Sequence, residues 1–196
     1  MKKNALIILF VISALGAVAS WVVGRYNGIM TLEENVETSW AQVETQYQRR
    51  IDLIPNLVAT VKGYATHEKE TFESVVSARA KATQITIDPS KATPEQLASF
   101  QSAQGELSQA LGRLLAVAES YPELKANENF LQLQSQLEGT ENRITYAREL
   151  FNSTAQIYNT SIRRFPNNIV ASIFGFERKN YFQSEQGADH APEADF

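Results

Sequence analysis

The sequence predicts an all-α protein in which an N-terminal transmembrane helix precedes an elongated antiparallel four-helix bundle of long helices. Residues Ala5 to Gly24 form an uninterrupted apolar run without a charge. The positions after this run repeat apolar side chains every three or four residues, which is the period of a helix face. Without this run and a polar C-terminal tail, roughly 150 of the 196 residues remain, which is enough for one domain with a sizeable core.

The apolar run is interpreted as an uncleaved membrane anchor. About 20 helical residues rise roughly 30 Å, which matches the hydrocarbon core of a bilayer. A cleaved signal peptide is the alternative, because Lys2 and Lys3 precede the run and Ala19 ends an A-x-A-like cleavage site. The run continues through Val23, longer than the apolar core of a signal peptide. The anchor is therefore favoured, and cleavage of a minor fraction after Ala19 stays open.

The charges on the two flanks of the run predict its orientation. Basic residues tend to remain on the cytoplasmic side of a membrane. Lys2 and Lys3 lie on one flank, whereas Arg25 on the other flank is followed by several glutamates. We therefore expect a single-pass protein of the inner membrane, with the N-terminus in the cytoplasm and the bundle in the extracytoplasmic, periplasmic space.

The predicted bundle begins as a stalk that continues the membrane helix from Gly28 onward. Pro55 lacks an amide hydrogen and clashes with the preceding turn, so a second helix is expected to start near Ile54 and to fade near Thr83. Pro55 and Asn56 together are a candidate hinge between the anchor and the bundle.

Two further helices have recognisable starts. Thr93-Pro94-Glu95-Gln96 is a capping box with proline at the first helical position, and this third helix should stop at Tyr121-Pro122. Asn127 is the expected cap of the last helix, which Pro166 should end. Its predicted buried positions alternate by three and four, a 3.5-residue period typical of a coiled coil or bundle. These positions are Phe130, Leu133, Leu137, Thr140, Ile144, Ala147, Phe151, Thr154, Tyr158, Ser161 and Phe165.

A short apolar segment, residues 169–176, follows the last helix and is expected to fold back onto the bundle. The alternative is an interfacial segment that touches the bilayer through Ile173, Phe174, Phe176, Arg178 and Lys179. The domain prediction is a short N-terminal tail (1–4), the anchor (5–24), the bundle (25–182) and a disordered tail (183–196). The tail is acidic and carries no lysine or arginine, a composition typical of disorder.

Composition narrows the possible functions. The chain has no cysteine, which excludes disulfides and thiolate chemistry. Its net charge of −4 provides no basic footprint for nucleic acid. His67-Glu68 lacks the second histidine of a zinc protease, because Thr71 stands at that position, and Tyr64 replaces the glutamate of a di-iron motif. We therefore predict no metal, no cofactor, no catalytic residues and no enzymatic activity.

Five polar residues fall beside predicted buried positions of the third and last helices: Arg113, Asn142, Arg143, Arg148 and Asn159. The favoured interpretation is a buried polar network that fixes the register of the helices. The alternative is a polar groove for a peptide or a lipid headgroup.

Several peptides of this chain occur together in one known family. They are WAQV (40–43), RRIDLIPNLVATVKGYATHEKE (49–70), YPELKANEN (121–129), GTENRI (139–144) and YNTSIRRFP (158–166). In this the chain resembles the LemA family of bacterial membrane proteins. The resemblance implies one N-terminal membrane helix and an elongated helical domain, and it provides no catalytic residues. The layout is also similar to that of a protein of bacterial magnetosome membranes, which suggests organising work at membranes.

The functional prediction is a membrane-anchored scaffold or adaptor. Its expected partners are the lipid bilayer and other envelope proteins, not nucleic acid. The alternative is a membrane-remodelling or membrane-surface-organising protein.

Overall fold

The computed structural model describes residues 2–183, and this part of the chain is all-α. The predicted tail, residues 183–196, lies outside the described residues apart from Gln183. The elements, in chain order, are α1 (Lys2–Lys62), α2 (Lys69–Gln84), α3 (Pro94–Val117), a 3-10 turn (Ala118–Ser120), α4 (Pro122–Lys125), α5 (Glu128–Arg163) and α6 (Asn167–Phe174).

The first helix, α1, runs without interruption for 61 residues, about 90 Å at the rise of an α-helix. The expectation that a new helix starts near Ile54 is wrong, because α1 passes through Pro55 and ends at Lys62. Proline leaves the carbonyl of Ile51 without its helical partner, and Arg79 of α2 donates its Nε–H to that oxygen at 3.4 Å. The side chain of Pro55 is exposed. A side chain from the neighbouring helix thus replaces the lost backbone bond.

The helix starts predicted from the sequence are confirmed at two places. The Thr93 hydroxyl accepts from the Gln96 amide at 3.2 Å, and the Gln96 side chain accepts from the Thr93 amide at 3.0 Å. The Asn127 side chain accepts from the Phe130 amide at 3.0 Å, which caps α5. Because these caps depend on residues only three positions apart, local sequence is enough to predict them.

The buried positions of α5 depart from the predicted seam in the last third of the helix. They follow it through Phe151 and again at Tyr158, but Ala155 and Ile162 are buried in place of the predicted Thr154 and Ser161. Phe165, the last predicted seam residue, is 80% exposed. A straight helix with 3.6 residues per turn drifts by about 20° per heptad from a 3.5-residue pattern, and this drift accounts for Ala155 and Ile162; Phe165 lies beyond Arg163, where α5 ends.

Helices α1, α2, α3 and α5 form the predicted antiparallel bundle. In α2 and α3, Lys81 pairs with Glu106 while the earlier Ser74 accepts from the later Arg113, so these helices run in opposite directions. The same reversal holds for α1 and α5, in which Trp40 packs against Phe151 and Arg50 pairs with Glu141. The all-α bundle prediction is confirmed.

Two hydrophobic cores follow each other along the bundle. The proximal core, nearer the apolar run, contains α1 from Ile29 to Tyr47, the second half of α5 and Val170 of α6. The distal core contains α1 from Ile51 to Val61, Ala65 in the turn after α1, and residues of α2, the second half of α3 and the first half of α5. Arg50, which is 1% exposed, stands between the two cores.

Candidate functional site

The feature that dominates the proximal half is a return of the chain along α5. Gly175 ends α6 in the left-handed region at φ 76°, and the Phe176 amide donates to the Ala171 carbonyl at 3.0 Å. Residues 176–183 then run without regular secondary structure back along the bundle. We call residues 176–183 the strap, and the surface that holds it the strap groove.

Two asparagines of α5 hold the backbone of the strap. The Asn159 side chain accepts from the Lys179 amide at 2.9 Å and donates to the Lys179 carbonyl at 2.8 Å. The Asn152 side chain makes the same pair with Phe182, at 2.8 and 2.9 Å. The two asparagines lie two helical turns apart, and each satisfies both polar groups of one strap residue, as a neighbouring β-strand would. Asn159 also donates to the Tyr181 hydroxyl at 2.9 Å.

Lys179 is the charged anchor of the strap and is only 6% exposed. Its ammonium group lies 2.6 Å from a Glu33 carboxylate oxygen and 3.2 Å from the Ser90 carbonyl, and 5.3 Å from the centre of the Tyr158 ring. The Tyr158 hydroxyl is buried without a hydrogen-bond partner. Burial, with the charges of Glu33 and Glu177 adding to it, raises the pKa of this hydroxyl well above its usual range.

Phe182 is the aromatic anchor of the strap and is 5% exposed. Its ring stacks on Trp40 with centroids 5.6 Å apart and meets the edge of Phe151 at 5.4 Å, and the Arg148 guanidinium lies 5.1 Å from its centroid. At the other end of the strap, Phe176 contacts the Tyr26 ring at 5.5 Å. The inward residues of the strap therefore follow an aromatic-x-x-Lys-x-x-aromatic pattern.

A second polar feature, the hydrogen-bonded cluster around Arg50, lies further from the apolar run than the strap groove. Arg50 donates to the Ser108 hydroxyl and to a Glu141 carboxylate oxygen, both at 2.7 Å, and to the side-chain and backbone oxygens of Gln104. Its guanidinium lies 5.1 Å from the Tyr47 ring centre. This arrangement joins α1, α3 and α5 at the boundary of the two cores. The Arg50 side chain is buried, whereas the Glu141 side chain is 40% exposed, so this ion pair is buried on one side only.

Comparison with known proteins places this fold in a family. Residues 39–196 match the family model described as the LemA family. The chain belongs to the LemA family. Magnetosome protein MamQ 2 of Paramagnetospirillum magneticum is 30% identical over 207 residues, an alignment that covers 95% of this chain and 74% of that protein.

Two further relatives are similar over most of their length. MamQ of Magnetospirillum gryphiswaldense is 28% identical over 212 residues, covering 96% of this chain and 76% of that protein. Protein LemA of Metamycoplasma hominis is 26% identical over 179 residues, covering 91% and 78%.

Membrane anchoring fits both this family and the geometry of α1. Among residues 2–183, α1 is the helix long and apolar enough to cross a membrane, and none of its apolar window is buried by the rest of the protein. The predicted span, Ala5 to Gly24, lies inside α1 and is followed by helix on the same axis. This LemA-family chain is therefore anchored by its N-terminal helix.

The five polar residues singled out from the sequence do not form one network. Asn159 and Arg148 both hold the strap, and Arg148 donates to the Gln183 carbonyl at 3.0 Å. Arg113 is exposed and donates to the Ser74 hydroxyl at 2.9 Å. Asn142 and Arg143 are exposed on α5, because they fall on the side of the helix opposite its buried positions. A role for these two in binding a partner stays a prediction.

The candidate hinge, and the histidine that was rejected as a metal ligand, can also be located. Pro55 and Asn56 are exposed on α1, and their role as a hinge stays a prediction. His67 is exposed in the turn between α1 and α2. Within residues 2–183, no three histidine, aspartate or glutamate side chains are grouped so that they could hold a metal ion.

The strap groove and the buried Arg50 were not predicted, although the sequence contains a signal for each of them. Val43, Tyr47, Arg50 and Ile54 continue the three-four spacing of α1, so the spacing itself predicts an inward arginine. Asn152 lies two helical turns before Asn159, and this spacing of two asparagines on one helix is the signal for the groove. The segment that pairs with both is an extended one, for which helical periodicity gives no signal.

Proposed function

We propose that this protein is a non-enzymatic, membrane-anchored adaptor that holds an extended segment of another envelope protein in the strap groove. The observation that carries the proposal is the pair of asparagine clamps on α5, which bind a backbone and not a particular side chain. Backbone pairing of this kind, with pockets for intermittent side chains, is a general mode of peptide recognition. The occupant of the groove in this structure is the chain's own strap.

The pockets of the groove indicate the partner's chemistry. Trp40, Phe151 and Arg148 surround one aromatic side chain. Glu33, with the Ser90 carbonyl, takes one ammonium group three residues earlier. A partner segment that exchanges with the strap is thus expected to be extended, and to carry a lysine three residues before an aromatic residue.

The first experiment asks whether the groove accepts a peptide in trans. The full chain in lipid nanodiscs, unaltered or as Phe182→Ala, is titrated with a fluorescent peptide GFERKNYFQ, the sequence of residues 175–183. The tethered strap competes at an effective concentration of about millimolar. We therefore expect the Phe182→Ala chain to bind the peptide at least about tenfold more tightly than the unaltered chain.

Two controls make this result specific. The control peptide has serine in place of the three inward residues and should not bind. Adding Asn152→Ala and Asn159→Ala to the Phe182→Ala chain should abolish binding while circular dichroism stays helical. If the opened chain remains folded and fails to bind GFERKNYFQ, the groove is not a peptide site.

The adaptor role itself is tested in cells. Crosslinking of the unaltered chain should yield adducts with envelope proteins, and the Asn152→Ala/Asn159→Ala chain should lose a subset of them. If the protein is an adaptor that works through the groove, the envelope proteins whose adducts are lost should carry an exposed extended segment with a lysine three residues before an aromatic residue. Adducts that are all independent of the two asparagines would refute it.

The proposal includes the inner membrane as the location, with the N-terminus in the cytoplasm and the bundle in the periplasm. Lys2 and Lys3 on one flank, and the glutamates after Arg25 on the other, support this orientation. Topology reporters fused to both ends of the chain test it, and a cytoplasmic signal from the C-terminal fusion would overturn it.

The second candidate is a membrane-surface-organising or membrane-remodelling protein. The observation that favours it is the exposed apolar side of α6, next to the membrane helix. Vesicles reconstituted with the full chain at increasing density should change shape in electron micrographs if remodelling is the activity. Unchanged vesicles at high density would leave the adaptor role as the better explanation.

A further inference from the structure

The helix α6 is apolar on two opposite sides. Val170 and Ala171 are 1% and 4% exposed and pack into the proximal core. On the opposite side, Ile169 is 48% and Ile173 69% exposed. Within the described part of the chain, nothing covers the second side of α6.

The exposed side extends beyond the helix itself. Phe165, four residues before Ile169, is 80% exposed, and Phe174 is 50% exposed. We call the exposed parts of Phe165, Ile169, Ile173 and Phe174 the α6 face; Phe165 lies just before α6, and Phe174 lies at the edge of the helix that meets α1. An exposed apolar surface of contiguous large side chains indicates a binding surface.

The position of α6 along α1 identifies what covers the α6 face. The Phe174 ring contacts the Tyr26 ring with centroids 4.8 Å apart, and Tyr26 lies two residues beyond the predicted end of the span at Gly24. Val22, still inside the apolar run, packs against the same proximal core as Tyr26. An element in contact with α1 at this level therefore lies at the depth of the membrane interface.

Basic residues precede and follow the α6 face in the sequence. Arg163 and Arg164 precede Phe165, Arg178 follows the helix, and all three are exposed. Arg25, at the end of the span, lies with its guanidinium 5.7 Å from the Trp21 ring centre. Tryptophan and arginine at this level are typical of the interfacial region, where phosphate groups are available.

We propose that the α6 face is a second membrane-binding site, which inserts into the outer part of the same leaflet that the span leaves. Its ligand is the interface of a phospholipid bilayer. The four apolar side chains enter the acyl boundary, and the arginines pair with lipid phosphates. Phe176 and Lys179, which were expected from the sequence to touch the bilayer, do not belong to this contact. Lys179 is buried against Glu33, and Phe176 is half-buried. The proposal does not depend on what the strap groove binds.

The test measures depth in a bilayer by spin labelling. The chain has no cysteine, so Ile173→Cys provides one labelled position, and Tyr146→Cys provides the matched control. Tyr146 is 65% exposed on α5, far along the helix from α6. Both full-length variants are reconstituted in phosphatidylcholine–phosphatidylglycerol vesicles, and collision with oxygen, which concentrates in lipid, is compared with collision with a water-soluble nickel complex.

We expect the oxygen-to-nickel collision ratio to be several-fold higher at position 173 than at position 146. A label at Ile169→Cys should give the same high ratio and guards against a local disturbance at position 173. Equal ratios at 173 and 146 would overturn the proposal, because the face would then be in water. Protection of both α6 positions from both reagents would overturn it as well, because a protein, such as a second copy of this chain, would then cover the face.

Discussion

Replacing Asn159 with alanine is expected to release the strap while the bundle stays folded. Asn159 is 3% exposed and satisfies both the amide and the carbonyl of Lys179. Alanine leaves these two groups without partners. Each buried polar group that loses its partner costs about 1–3 kcal/mol, and water entering the opened groove recovers part of this. A loss of about 2–4 kcal/mol in strap docking corresponds to roughly a 30- to 1,000-fold increase in the open population.

The assay is amide hydrogen exchange on the full chain. The Lys179 and Phe182 amides, both donors to asparagine side chains, should exchange faster by this factor, because exchange proceeds through the open state. Amides in the middle of α5 should change little. The matched control is Asn142→Ala, since Asn142 is an exposed asparagine of the same helix and the change has the same effect on helix propensity.

If Asn159→Ala accelerates exchange of the Lys179 amide by less than about threefold, which is under 1 kcal/mol, the expected release of the strap is contradicted. That result would mean that side-chain contacts keep the strap in its groove without the two hydrogen bonds between Asn159 and the Lys179 backbone. A loss of protection throughout α5 would also refute the reasoning, because it would make the strap part of the cooperative bundle. Either outcome would remove the basis for exchange of the strap with a partner segment.

Three further substitutions test other parts of the structure by unfolding in detergent. Arg50→Ala should lower the unfolding free energy by about 1–3 kcal/mol, because the buried Gln104 loses its hydrogen-bond partner, while Glu141, whose side chain is 40% exposed, stays solvated; the exposed Arg49→Ala should change it by no more than about 0.5 kcal/mol. Pro55→Ala should raise it by about 1–3 kcal/mol, because alanine restores the backbone donor and has the better helix propensity; a loss would support the hinge. Tyr158→Phe should leave the unfolding free energy unchanged or raise it near pH 7. The same substitution should reduce the fall in unfolding free energy above about pH 10, where the tyrosine of the unfolded chain ionises. The folded Tyr158, with its raised pKa, keeps its proton there, so the unfolded state binds fewer protons and stability falls as the pH rises.

Local sequence predicted those parts of the fold that depend on neighbouring residues. The caps at Thr93 and Asn127 are formed within one helical turn, so their partners are visible in the sequence. The long apolar run and the amphipathic repeats likewise specify α1 and the bundle without reference to distant residues. The 3.5-residue pattern of α5 missed Ala155 and Ile162, which lie beyond Phe151, where its drift had accumulated.

The remaining errors concern contacts between residues that are far apart in sequence. Pro55 does not end α1 because Arg79, on the next helix, supplies a donor to the Ile51 carbonyl, and no local rule anticipates that bond. The strap groove depends on Asn152, Asn159 and a segment that returns after a turn at Gly175. Such a site becomes visible only when the chain direction after α6 is known.

The position of the groove on α1 restricts which partners can reach it. Glu33 and Trp40, which line two of its pockets, lie on the same uninterrupted helix as the span. At 1.5 Å per residue they stand about 14 Å and about 24 Å beyond Gly24 along the helix axis. Because no break in α1 separates span from groove, a tilt of the anchor moves both together. A segment that replaces the strap must therefore lie within roughly 25 Å of the bilayer surface, which selects the membrane-adjacent segments of other anchored proteins over distant soluble domains.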